Sequence, residues 1–314
     1  MLPGIALVFP LGLLAAEQAD QPATPPNILG RLDAPRDFVS ARIVSFAKDM
    51  DRFFGDERNF QEVNKSVLQI DLTKVAGYNG SRNVVLSGKA KLHLPSTEKR
   101  LHLLLETDSE KNITGDTTKG QPVVLDKVAA PEKLSLAARY EQQEEARWHL
   151  SADAGIQVRR PLEPFVRTRG SYSFPFETWR MKLAESVFWF NTIGAGETTQ
   201  LDLEHLISEP LMFRASSNAT WLHDKQNFDL RQDLSVYQTL SERSALLYQA
   251  SAVGVSNPQV QVSEYVVLML YRHRLHRDWV FFELSPQLHF PKADKFKSNP
   301  SLSMRLEMLF DTSR

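Results

Sequence analysis

The chain contains no cysteine in 314 residues, which removes disulfides, thiolate metal centres and cysteine nucleophiles. It also lacks any run of roughly 20 apolar residues, the length an α-helix needs to cross a bilayer, although 42% of its residues are hydrophobic. Neither sign of charge dominates: 37 Lys and Arg stand against 38 Asp and Glu, a formal net charge of -1. Nothing resembles the basic stripe that grips a nucleic-acid backbone, so nucleic acid is not an expected partner. No carboxylate or histidine cluster has convincing ligand spacing, and neither a metal nor another cofactor is expected.

What the chain does have is alternation. Leu302, Met304, Leu306, Met308 and Phe310 alternate with Ser303, Arg305 and Glu307, giving a strand with one apolar and one charged face. The pattern recurs from Ser66 onward. Only every second residue of such a strand meets lipid, so a membrane face can hide behind a mean hydropathy of -0.32. The expected fold is all-β: an antiparallel transmembrane β-barrel of about 14 strands, with 12 and 16 as alternatives, and a short N-terminal periplasmic amphipathic helix.

Residues 1–16 form an uncharged apolar run ending in Ala15 and Ala16, too short to span a bilayer and shaped like a signal peptide, without the usual preceding Lys or Arg. Residues 17–60 are expected to hold a Pro-rich tether, with Pro22, Pro25 and Pro26, and then a helix from about Asp33 to Gly55. Phe38, Phe46, Met50, Phe53 and Phe54 fall on one side of that helix, and Arg42, Lys48, Asp49 and Arg52 on the other. Rim packing, a plug, a membrane-surface helix and a partner-binding helix are all open roles. Residues 61–314 are assigned to the barrel.

Candidate strands are 66–76, 82–94, 99–108, 132–141, 146–158, 164–174, 177–191, 197–208, 210–222, 226–239, 243–255, 260–274, 277–290 and 300–310. With an N-terminus entering from the periplasm, every even connection is short and the long insertions, Ser109 to Pro131 and Pro291 to Asn299, fall on odd ones. A charged side chain at mid-membrane costs about 2–4 kcal/mol, which decides the facing. Leu302, Met304, Phe282, Leu284, Leu86, Trp148, Leu150, Leu183 and Trp189 go to lipid. The expected pore lining is Lys89, Lys91, Arg147, His149, Asp153, Arg167, Arg169, Arg180, Lys182, Glu283, Arg305 and Glu307. Glu185 breaks its strand's pattern and is read as lying near a bulge or at an oligomer contact. Aromatics such as Trp148, Trp179, Trp221 and Trp279 fall near strand ends, where an interfacial girdle would lie.

Both signs of charge line the inner face in comparable number, which favours cross-strand ion pairs over a selective ring. His149, Ser151 and Asp153 share one strand face, but same-face neighbours are roughly 7 Å apart, too far for a direct nucleophile–base hydrogen bond. No catalytic residue is therefore assigned. The pattern points to a narrow porin-like channel for small polar solutes or ions. An outer-membrane structural or interaction protein is the alternative, and a lipid or glycan hydrolase a more distant one.

Asp51-Arg-Phe-Phe-Gly-Asp56, Ser186-Val-Phe-Trp-Phe190, Leu240-Ser-Glu-Arg243, Arg274-Leu-His-Arg-Asp-Trp279 and Pro286-Gln-Leu-His-Phe-Pro291 resemble stretches of a family of uncharacterised Gram-negative outer-membrane β-barrel proteins. The resemblance implies fold and location, not activity. The last strand also resembles the signal read by the barrel-assembly machinery, although it lacks the usual glycine and Asp311-Thr-Ser-Arg314 trails beyond Phe310. The expected partners are thus outer-membrane lipid, that machinery and small polar solutes, with the oligomeric state open.

Overall fold

A computed structural model describes residues 45–54, 66–77, 82–93, 100–107, 134–144, 147–158, 161–176, 178–276 and 279–311. The leader, the Pro-rich tether, the first part of the helix with Phe38, and the long connection at Ser109 to Pro131 lie outside the described residues.

Fourteen antiparallel strands close on themselves, each bonded to its sequence neighbours, with β1 (Val67–Ala76) zipped to β14 (Asn299–Asp311). The others are β2 (Arg82–His93), β3 (Leu101–Thr107), β4 (Leu134–Glu144), β5 (Trp148–Val158), β6 (Glu163–Phe176), β7 (Trp179–Phe190), β8 (Gly194–Ser208), β9 (Leu211–Leu222), β10 (Asn227–Ser241), β11 (Ser244–Val255), β12 (Gln261–His276) and β13 (Val280–Pro291). Closure matters because it leaves no unpaired strand edge, which hydrocarbon does not tolerate. Strand ends differ from the sequence expectation by three residues at most, as where β4 runs on to Glu144 and β8 starts at Gly194.

The rim where β1 begins and β14 ends is called the near rim here. Its turns are short, such as Glu209–Pro210 and Glu242–Arg243, as the parity of connections requires. At the far rim the β13–β14 connection carries a 3-10 turn at Lys292–Asp294. Trp148 and Trp179 open their strands at the near rim, and Trp279 stacks on Phe310 with ring centroids 5.2 Å apart. These amphipathic rings stand where a membrane interface would lie.

Alternation runs along the wall, as β14 and β7 illustrate. In β14, Ser301, Ser303, Arg305 and Glu307 are buried while Leu302, Met304 and Phe310 are exposed. In β7, Arg180, Lys182 and Ser186 are buried while Leu183, Val187 and Trp189 are exposed. Polar inside and apolar outside inverts a soluble protein, and only a lipid surround makes such a wall favourable. Replacing Met304 by Arg is expected to destabilise the barrel by about 2–4 kcal/mol, measured as a urea unfolding midpoint in lipid vesicles. A loss no larger than that of Met304→Ala would place Met304 away from lipid.

The bulge expected near Glu185 is not there. Both β6–β7 and β7–β8 keep unbroken register through Glu185, with Gly170 and Thr199 as its partners. Register shifts occur instead near strand ends, between Leu206 and Ser208, Thr239 and Ser241, Val253 and Gly254, and Arg274 and His276. Bulges absorb twist at a rim, whereas one at Glu185 would break the ladder at mid-strand.

Candidate functional site: the barrel lumen

An eight-stranded barrel is just filled by its own side chains, whereas sixteen strands leave an aqueous channel. Fourteen lie nearer the open case, so the contents of this lumen matter. Among the described residues they include three ion-pair chains, one helix and one aromatic cluster.

The first chain spans β12, β13 and β14, where Arg272, Glu283 and Arg305 are register partners. Arg305 donates to Glu283 from Nε and Nη2, both at 2.6 Å, and Arg272 donates to Glu283 and, at 2.5 Å, to Glu307. Gln69 on β1 donates to Glu307 at 3.1 Å, carrying the network across the closure seam.

The second chain repeats the Arg–acid–Arg arrangement on β4, β5 and β6 through Arg139, Asp153 and Arg167. Arg139 Nε and Nη2 reach the two Asp153 oxygens at 2.6 and 2.8 Å, Arg167 donates to the same carboxylate, and Arg167 Nη2 reaches Glu106 at 2.9 Å. Beside it Glu141 accepts from Lys91 at 2.5 Å and lies 3.0 Å from His102 Nε2 and 3.3 Å from His149 Nε2. The Ser–His–Asp alignment on β5 thus has no relay: the Asp153 carboxylate is held by two arginines and His149 faces Glu141.

The third chain runs from the wall into the helix. Arg180 donates to Glu204, Arg214 Nε donates to Glu204 at 2.8 Å, and Arg214 Nη2 donates to Asp51 at 2.7 Å. Asp51 belongs to residues 45–54, which are helical. That helix buries Ala47, Met50, Asp51 and Phe54, the i, i+3, i+4, i+7 set of one face, and exposes Lys48, Asp49 and Arg52.

The buried face rests on inward residues of β9 to β12: Met212, Tyr237, Ala245, Leu247, Leu268 and Leu270, with Phe46 and Phe53 packed alongside. These positions cluster toward the near-rim ends of their strands, so the helix sits inside the near mouth. Phe54 meets Tyr237 edge-on at 5.4 Å, Phe53 meets Phe281 at 6.0 Å, and Arg272 lies 4.1 Å over the Phe281 ring. Toward the far rim a separate cluster of Phe165, Phe188, Phe190, Leu104 and Leu222 also points inward.

The sequence-expected lining residues divide accordingly. Lys91, His149, Asp153, Arg167, Arg180, Glu283, Arg305 and Glu307 are buried members of the three chains. Lys89 and Lys182 are buried inside the wall, and Arg169 donates to Ser186 at 3.1 Å. Arg147 stands exposed in the turn before β5, which starts at Trp148, two residues later than the expected strand. Phe46, Phe53 and Phe54 are together on the helix; Phe38 lies outside the described residues.

Asp51 and the inward aromatics of the strands were not anticipated as site residues. A signal for each existed. Asp51 shares the helical spacing of Ala47 and Phe54, and Phe188 and Phe190 share the strand parity of Arg180 and Lys182.

No family model matches the chain, and no curated protein matches its sequence. Solved structures align with most of it. One is described as a bacterial polysaccharide outer membrane secretin, at 11% identity over 79% of this chain and 99% of that one, TM-score 0.46. Pseudomonas putida OprB aligns at 8% identity over 78% of this chain and 94% of that one, TM-score 0.48. Vibrio cholerae OmpT lacking loop L8 aligns at 8% identity over 78% and 98%, TM-score 0.48. By its own closed antiparallel wall, even strand number and outward apolar face, this protein is a transmembrane β-barrel of the outer-membrane class.

Proposed function

We propose that the protein is a narrow porin-like channel for small polar solutes or ions, held in a restricted state by its own helix in the near mouth. In an outer membrane that mouth faces the periplasm, the side on which both ends of the barrel lie. The observation that carries this reading is a charged lumen with a helix seated in it by an apolar face and one ion pair, Asp51 to Arg214. A barrel built only to hold partners at its rims has no use for such an interior.

The near balance of paired charges supports weak ion selectivity, since Arg139, Arg167, Arg180, Arg214, Arg272 and Arg305 each bond a neighbouring carboxylate. The leader at residues 1–16 fits export as a signal peptide, and the last strand fits delivery to the barrel-assembly machinery.

Liposome permeability tests the channel reading. Vesicles holding the barrel without residues 22–55 are expected to admit small sugars and ions well above the rate of empty vesicles, and those holding the intact chain only slightly so. A truncated barrel that migrates as folded on a heat-modifiable gel, yet leaves vesicles as tight as empty ones, would show a structural role instead.

A further inference from the structure

The outer wall is not uniform. On β12 to β14 and β1 its middle is bulky and apolar, with Val267, Leu284, Met304 and Leu72 facing out. On β7 to β10 the same level carries Glu185, Thr199, Ser217 and Gln232, all accessible at the outer surface. Small residues flank them, Gly170 opposite Glu185 and Ala219 opposite Thr199.

Glu185 lies at the centre of β7 with the ladder intact on both sides, so it belongs neither to a bulge nor to a rim. Thr199 donates to it at 2.7 Å, and on the next two strands Ser217 donates to Gln232 at 2.5 Å. A carboxylate at this depth is costly against lipid tails and is normally found covered by something that supplies donors.

From this we infer that the β7–β10 wall is the contact surface for a second copy of this chain. The polar groups are self-complementary about a two-fold axis along the membrane normal that passes between β8 and β9. Rotation about that axis brings β7 of one copy against β10 of the other, so the Glu185 carboxylate meets the Gln232 amide of the second copy. It likewise brings Thr199 against Ser217 of the second copy. Each contact then occurs twice, as an isologous interface requires. Lipid tails offer no donors at this level and lipid headgroups lie at the rims, whereas Gly170 and Ala219 let two walls approach closely. The inference stands on the outer wall alone and is independent of what the lumen conducts.

Cysteine cross-linking of the full-length protein in native membranes tests it, because the chain has no cysteine of its own. Ser217→Cys beside the axis is expected to give, under mild oxidant, a band at twice the chain mass. Met304→Cys on the opposite wall is expected to give none. Adding Glu185→Leu and Gln232→Leu to Ser217→Cys should lower the dimer band roughly tenfold, the scale of losing one to two hydrogen bonds in a membrane. Ala219→Cys serves as a second reporter if Ser217→Cys does not show the gel shift of a folded barrel. A folded reporter that stays monomeric, equal cross-linking from Met304→Cys, or a band at the mass of some other chain would each overturn the inference.

Discussion

Replacing Glu283 by Leu is expected to destabilise the barrel by about 3–5 kcal/mol, the cost of leaving a buried charge without its partner. The effect is large because two guanidinium groups lose one carboxylate: Glu283 accepts from both Arg272 and Arg305, and all three side chains are nearly excluded from solvent. Glu307 already lies 2.5 Å from Arg272 and 3.3 Å from Arg305, so without Glu283 a single carboxylate is left to face two guanidinium groups. Urea titration in lipid vesicles, read by gel shift, gives the number. The triple change Arg272→Met, Glu283→Leu, Arg305→Met should recover much of the loss, because removing every member of a buried network leaves no charge unpaired. A Glu283→Leu shift no larger than that of Ser303→Ala would mean that the network contributes little.

Asp51→Arg should release the helix. It sets a cation against Arg214, whose Nη2 now lies 2.7 Å from the Asp51 carboxylate, within a seat otherwise made of apolar side chains. An ion pair of this kind, once broken, shifts an equilibrium by about 3 kcal/mol or more, and every 1.4 kcal/mol is roughly tenfold. The open fraction in single-channel records is therefore expected to rise on the order of a hundredfold. Asp51→Glu, which keeps a carboxylate facing Arg214 and leaves the Arg214–Glu204 pair intact, should keep the channel closed, and the Asp51→Arg barrel should still migrate as folded on a heat-modifiable gel, which simple loss of stability would not allow. Equal open fractions for Asp51→Arg and the unchanged chain would remove the ion pair as a latch.

The wall of the barrel was nearly all legible because its information is local. Period-two alternation, the cost of a charge in lipid and short turns at even connections place Leu302, Met304 and Arg305 without knowledge of any other strand. What each inward charge touches was not legible, because Arg139 and Asp153 meet through a register set across strands. Inner apolar groups were hidden for a different reason. Val266-Val-Leu-Met-Leu270 is apolar on both faces, which a strand between lipid and water has no cause to be. Read that way, Leu268 and Leu270 signal something apolar inside, and the helix is what they meet. Glu185 shows the converse: a break in alternation suggested a nearby bulge or an oligomer contact, and the intact ladder shows that the backbone did not yield.

Single-channel conductance of the chain lacking residues 22–55, set beside that of the intact chain, tests the central claim most directly. The helix fills one side of the near mouth without contributing to the strand ladder, so the truncated protein should assemble, keep its heat-modifiable migration and conduct more per opening than the intact protein. A folded truncated barrel whose conductance equals that of the intact chain would contradict the claim that this helix restricts the pore.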